Sequence, residues 1–399
     1  MKIHWVKLAL ALPVLVLSTF VLAAPAIARH RDPEPSTVYE QPVKIIYKYV
    51  TRPDPPPAPP KDFSEDLLAL WAMVKPGASG ELDGILAEYK RNWLAVAMPF
   101  LAGIVPKDLP RTVVYPFGGG DLVSALAVYP DATDITTISL EPAGEVAAMF
   151  RGGPAYTRER LAKVRKDIHF LLSQAFSRTE DMTQQNEEQI PGQVVYSLMA
   201  LNVHGYEPVS LKYFRFGPGG EVKYWNEPDL KTQINLGNEH VWDNMELRFR
   251  AQGEGSPERV HRHIYIDLSD KRFEKDPVLL KFLQSKGRVS AITKACSYLL
   301  WENAFSVIRK YLLDQADFII SDATGVPPHV ARAAGHEQIT YGRFSAAIMK
   351  VNQETKDEFV NMWKKQPFRK LPFRFGYPNH GSGEGHLLIT RPLKGSDAK

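Results

Sequence analysis

The run Tyr115-Pro116-Phe117-Gly118-Gly119-Gly120-Asp121, with Glu141 twenty residues further on, is the part of this chain best equipped for chemistry. Consecutive glycines at a strand end let the backbone approach a ligand closely, and an acid ending the next strand accepts hydrogen bonds from ribose hydroxyls. Gly118, Gly119, Gly120, Asp121 and Glu141 are therefore the candidate cofactor-binding residues. Two more candidates lie downstream. Phe318-Ile319-Ile320-Ser321 reads as a buried strand that delivers Asp322 at its carboxyl end, and Lys294 ends the strand before it. If those strands lie beside the glycine turn, Asp121, Glu141, Lys294 and Asp322 converge on one crevice, with Asp322 and Lys294 as catalytic candidates. The same residues admit an architectural reading. The glycines then punctuate a strand-to-helix turn, and Glu141 caps a helix starting near Gly144. Asp322 and Thr324 shape a turn ahead of Gly325 and Pro327, while Lys294 is solvated or pairs with a carboxylate.

The other reactive side chains are less organised. His261 and His263 are two apart, so on a strand they share a face, and with Asp267 they make an incomplete metal-ligand set. Within Arg259-Val260-His261-Arg262-His263 they read instead as the polar end of a surface hairpin, and no metal is expected. His380, Glu384 and His386 occupy a glycine-rich turn that reads as a hairpin tip able to close over a ligand. The lone cysteine, Cys296, sits among apolar neighbours and reads as a buried helix residue.

The elements that must position these residues begin with a helix near Asp62 running through Val74, then a second helix over residues 80–98. From Arg111 the pattern becomes strand, glycine turn, helix and strand, the opening of a wound α/β sheet. Helices are expected over 144–149 and 158–176. Turn signals at Gly217-Pro218-Gly219-Gly220 and Gly253-Glu254-Gly255-Ser256-Pro257 predict an antiparallel β insert at about 190–270. Alternation resumes with strands over 263–268, 289–293 and 318–321 and helices over 278–285 and 297–313. A last hairpin is expected to pair residues 372–377 with 386–390. The fold class is α/β: a Rossmann-like wound sheet with an antiparallel insert and N-terminal helices, in one domain over 62–399.

The glycine turn and its following acid resemble the cofactor motif of class I methyltransferases. The resemblance covers about thirty residues and departs from the pattern at Pro116. It implies S-adenosylmethionine held by Gly118 to Gly120 and Glu141, with Asp322 orienting the substrate. Residues 114–144, Lys294-Ala295-Cys296-Ser297-Tyr298-Leu299-Leu300 and Asp322-Ala323-Thr324-Gly325-Val326-Pro327 resemble a family of uncharacterised exported bacterial proteins. That resemblance implies a common fold and an envelope location, and no reaction.

The N-terminus bears on the choice. Lys2 and Lys7, the apolar run from Leu8 to Leu22 and the small-residue site Ala26-Ile27-Ala28 form the pattern of a signal peptide over 1–28. The 21 residues from Leu8 to Ala28 would also suffice as an uncleaved membrane anchor. A proline-rich linker over 29–61 follows. Without Lys2 and Lys7 the chain carries 47 basic against 45 acidic residues and has no dense basic stripe, which excludes a nucleic-acid partner. Export to the periplasm or envelope removes a protein from the compartment where activated nucleotides are held. The expectation is thus a protein that binds a small molecule or an envelope component and uses no cofactor. The alternative is a methyltransferase-like enzyme using S-adenosylmethionine.

Overall fold

The computed structural model describes residues 80–150, 192–253, 255–322, 325–344, 353–376 and 385–393, with isolated helical positions at 43, 47, 156, 159–160, 163, 168 and 171–172. The signal segment, the proline run and the helix expected over 62–74 lie outside them. Val43 and Tyr47, one helical turn apart, are buried in the core. The Tyr47 hydroxyl donates to the Tyr206 carbonyl at 2.5 Å and accepts from Gln252 Nε2 at 3.2 Å. Val43 and Tyr47 therefore pack on the domain.

Among the described residues ten strands make one sheet: β1 (Thr112–Pro116), β2 (Asp134–Ser139), β3 (Tyr206–Phe216), β4 (Val222–Tyr224), β5 (Asn244–Ala251), β6 (Arg259–Tyr265), β7 (Val289–Thr293), β8 (Ala316–Ser321), β9 (His336–Gly342) and β10 (His386–Pro392). Their order is β4-β3-β5-β6-β2-β1-β7-β8-β10-β9. The five central strands, β6 to β8 in that order, are mutually parallel. Parallel strands covered on both faces carry near-continuous apolar runs, and β7, Val-Ser-Ala-Ile-Thr, is buried at every position. The chain is α/β, a Rossmann-like wound sheet.

Helices cover both faces. The chain-ordered helices are α1 (Gly80–Tyr89), α2 (Ala95–Ile104), α3 (Leu122–Val128), α4 (Gly192–Val203), α5 (Glu227–Asn235), α6 (Asp270–Lys275), α7 (Val278–Ser285), α8 (Ser306–Gln315), α9 (Pro328–Ala333) and α10 (Gln353–Lys365). A π-helical turn, Lys90–Leu94, joins α1 to α2. Side chains alternate across the sheet: Val113 and Tyr115 join the core formed with α3 and α4, whereas Val114 faces the core formed with α7 and α8. Among the described residues no helix is long and apolar enough to cross a membrane.

The antiparallel insert is β3, β4 and β5, added beyond β6. The turns at Gly217 to Gly220 and Gly253 to Pro257 join β3 to β4 and β5 to β6, as the glycine and proline signals predict. The strand β6 starts four residues earlier than expected and belongs to the parallel core, paired with β2 from Val260 to Tyr265. At the other end the expected final hairpin does not form. The strand β10 runs antiparallel between β8 and β9, and residues 372–376 form no strand. The helix expected over 144–149 is a 3-10 turn at Val146–Phe150, and residues 297–305, expected in a long helix, make two 3-10 turns before α8.

A buried charge cluster fastens insert to core. Glu246 on β5, with a fully buried side chain, accepts from Arg262 on β6 (2.8 and 2.9 Å), Arg248 Nε (3.0 Å) and the Tyr224 hydroxyl (2.6 Å). Arg262 also reaches Asp134 at the start of β2 at 2.8 Å, and Lys286 meets that carboxylate at 2.9 Å. Breaking a buried ion pair leaves a charge that neither water nor protein solvates. Glu246→Ala should lower the unfolding free energy by about 3–5 kcal/mol, read from the denaturant midpoint. Glu246→Gln, which keeps an acceptor oxygen, should lose less.

Candidate functional site

The chain winds from β1 to β2 to β6 in one direction and then from β7 to β8 in the other, so the winding reverses between β1 and β7. Loops at such a reversal diverge and leave a crevice at the carboxyl ends of the strands. Here a crevice with about 690 Å³ of empty space, part of it open to solvent, is lined by residues that follow β1 (Phe117, Gly119, Asp121), β2 (Glu141), β6 (Asp267) and β7 (Lys294, Cys296).

The glycine turn is built by packing as well as by conformation. Gly118 has no room for a side chain, since a Cβ would lie 2.6 Å from the Tyr115 ring; at Gly120 it would lie 2.8 Å from Gln193 and Tyr196. Only Gly119, with φ +49°, lines the crevice. Pro116 is the last residue of β1, so its missing donor falls where the ladder ends, and the Gly118 amide resumes bonding to the Ile138 carbonyl at 2.9 Å.

Asp121 and Lys294 meet in the crevice wall as a buried ion pair, Nζ to Oδ2 at 2.7 Å. The Tyr115 hydroxyl donates to the same Oδ2 at 2.8 Å, and Lys294 also donates to Ser124 Oγ at 2.6 Å. The Asp121 Oδ1 atom is buried and meets no donor among the described residues.

Asp322 does not line the crevice. Its carboxylate sits behind the wall, accepting from the Ala295 amide at 2.9 Å and from the Ser297 hydroxyl. Ala295 has φ +64° and ψ −63°, and the Cys296 amide donates to the Lys294 carbonyl at 2.8 Å. That is a γ-turn of the rarer, strained hand. Asp322 holds it in place and so presents Lys294 and Cys296 to the crevice. Gly376 abuts Asp322 so closely that any side chain there would strike the carboxylate. Of the four residues expected to converge, the structure brings together Asp121, Glu141 and Lys294, and gives Asp322 a positioning role.

Cys296 lies in a 3-10 turn at the crevice rather than in a helix core. Burial, with the Asp322 and Glu141 carboxylates nearby, pushes its thiol up to about 12, so it stays protonated and is no nucleophile at neutral pH.

Glu141 is 4% exposed, and its carboxylate meets no hydrogen-bond donor among the described residues. Its backbone is fixed from below. His263 Nε2 lies 2.8 Å from the Glu141 carbonyl, Nδ1 lies 3.1 Å from Thr137 Oγ1, and His261 Nε2 lies 3.0 Å from the same oxygen. A carbonyl only accepts, so the proton sits on His263 Nε2. Nδ1 then accepts from Thr137, whose oxygen accepts from His261 Nε2. Both histidines are buried inside the sheet, not on a surface hairpin, and Asp267 turns away to bond Ser269 (2.6 and 2.8 Å). Among the described residues no group of three or more His, Cys, Asp or Glu is placed to hold a metal ion. His386 is a buried strand residue rather than part of a loop tip; His380 and Glu384 lie outside the described residues.

Sequence reasoning missed Ile266, Leu268, Leu299 and Phe305 as crevice walls. The signal was present for Ile266 and Leu268, which follow a core strand. Comparison of the chain with protein-family models, curated proteins and solved structures finds no match among any of them.

Burial holds His263 and His386 down at about 4, and His261 at about 3, with His263 and Arg262 adding to the last effect. The unfolded chain, with imidazoles near 6.5, therefore binds more protons between about pH 6.5 and 4. The stability these groups contribute is complete above that window and is lost as pH falls through it. Denaturation midpoints should fall from pH 7 to pH 5. His263→Gln, which removes one titrating group, should reduce the stability lost between pH 7 and pH 5 by on the order of 1–2 kcal/mol.

Proposed function

We propose that this chain is an exported small-molecule-binding protein whose switch-point crevice takes a ligand with adjacent hydroxyls, a nucleoside in the first instance. The observation that carries the reading is Glu141: a buried carboxylate with no donor among the described residues, following β2 and lining a crevice entered over a glycine turn. Paired hydroxyls on one ligand edge are the donors such an acid accepts. The strand order supports the same reading. In the run β6-β2-β1-β7-β8 the winding reverses between β1 and β7, which is where ligands of open α/β sheets sit.

Fitting S-adenosylmethionine divides into two halves. The nucleoside half fits, with Glu141 for the ribose, Gly119 for close backbone approach, and Ile266, Leu268, Leu299 and Phe305 as apolar walls. When bound, that cofactor supplies an electrophilic methyl group on its sulfonium. The chain's own side chains supply orientation rather than proton transfer. Asp121 and Lys294 neutralise one another, Asp322 is occupied by the γ-turn, and Cys296 holds its proton. Binding is the task for which they are equipped.

Two measurements test the proposal. Adenosine, S-adenosylmethionine or S-adenosylhomocysteine at millimolar concentration should raise the melting temperature of the purified protein, because a ligand that binds only the folded state adds RT ln(1 + [L]/Kd) to stability. Glu141→Ala, which breaks no hydrogen bond of the carboxylate among the described residues, should fold normally and lose the shift. No shift with any of the three would refute the nucleoside reading. Cell fractionation should place the mature chain outside the cytoplasm, without residues 1–28; a cytosolic chain that keeps Lys2 and Lys7 would refute export.

A further inference from the structure

We infer that the crevice selects a ligand bearing a protonated amine, which docks on Asp121 Oδ1, and selects against phosphate. The inference rests on the nucleoside reading above and adds the charge of the group beside the sugar.

The first observation is the unsatisfied oxygen. Asp121 is 3% exposed, and while Oδ2 carries two partners, Oδ1 carries none among the described residues. Buried carboxylate oxygens are ordinarily hydrogen-bonded, and each exception requires a reason. Asp121 stands at the position before α3 where an acid usually caps the helix, yet its side chain makes no capping bond. The usual structural use of such an oxygen is therefore absent, and Asp121 lines the crevice.

The second observation is the balance of charge. The crevice lining carries three carboxylates, on Asp121, Glu141 and Asp267, against one ammonium, on Lys294. Lys294 is committed to Asp121 and Ser124, with the Phe375 ring 5.7 Å from its nitrogen. The potential at the ligand position is negative, and a cation entering it is attracted with little water to screen the field.

The third observation weighs against the usual anion at a glycine turn, because two of the turn's amides are already committed. Phosphate binding there relies on backbone amides pointing at the ligand. In this turn the Gly118 amide already donates to the Ile138 carbonyl at 2.9 Å, and the Asp121 amide to the Gly118 carbonyl at 3.0 Å. A phosphate would meet the Asp121 and Glu141 carboxylates instead.

The test is a calorimetric affinity series on the full chain with adenosine, 5′-amino-5′-deoxyadenosine and adenosine 5′-monophosphate. A charge-assisted hydrogen bond to a buried carboxylate predicts that the amine binds about tenfold or more tighter than adenosine, and the phosphate weaker. The amine preference should vanish in Asp121→Asn. Because that change strands the Lys294 ammonium, the double variant Asp121→Asn with Lys294→Met, which removes both charges, is measured beside it; circular dichroism establishes that each is folded. Equal affinity for amine and adenosine, or tighter binding of the phosphate, would overturn the inference and leave the nucleoside reading intact. An amine preference that survives in both folded variants would also overturn it. If none of the three binds, the nucleoside reading itself fails.

Discussion

Parallel strands can be joined only by crossovers, and this constraint governs the molecule. Five central strands deliver their carboxyl ends to the same edge of the sheet, and the reversal of winding between β1 and β7 prevents the loops there from closing over one another. Residues as far apart in sequence as Phe117, Glu141, Asp267 and Lys294 thereby line one space. The insert and the β10-β9 pair extend the sheet at its two sides and leave this edge open.

Three buried polar groupings set the details. The Glu246 cluster joins insert to core; the Asp121-Lys294 pair forms part of the crevice wall; the chain of Thr137 and two histidines ties Glu141 to the middle of the sheet. In the first and third nearly every polar atom has a partner, which is how a low-dielectric interior tolerates them. The second leaves one oxygen over, on a residue that lines the crevice. Strain is concentrated in the same place. Phe117 and Ala295, the two non-glycine residues with positive φ among the described residues, both stand in the crevice wall.

The parallel core was legible from sequence because its strands are buried on both sides and must be written in β-branched and apolar residues. The runs Thr-Val-Val-Tyr, Asp-Ile-Thr-Thr-Ile and Phe-Ile-Ile-Ser carry that signature. Asp121, Glu141 and Lys294 were legible as strand-end residues for the same reason. The rest depends on contacts between distant segments. The strand β9, His-Glu-Gln-Ile-Thr-Tyr-Gly, is half polar because it lies at the margin of the sheet, and β10 finds its partners across the fold rather than along the chain. His261 and His263 look like surface residues by type; they are interior because Thr137 and the Glu141 carbonyl satisfy their nitrogens. The helix expected after Lys294 gives way to 3-10 turns because Asp322, 28 residues later, holds the Ala295 amide in the γ-turn that precedes them.

The placement of β10 has a consequence for how the molecule is made. Among the described residues it is the last strand in sequence, yet it lies second from the margin, between β8 and β9, and β9 has no other neighbour in the sheet. Before β10 docks, β9 has no strand partner, only the bonds of its Thr340 and Gly342 amides to Gln366 and Arg369, and the flank of β8 is bare. Closure of this side of the sheet therefore needs a segment that follows the end of β9 by 44 residues, and β9 joins the sheet no earlier than β10 does.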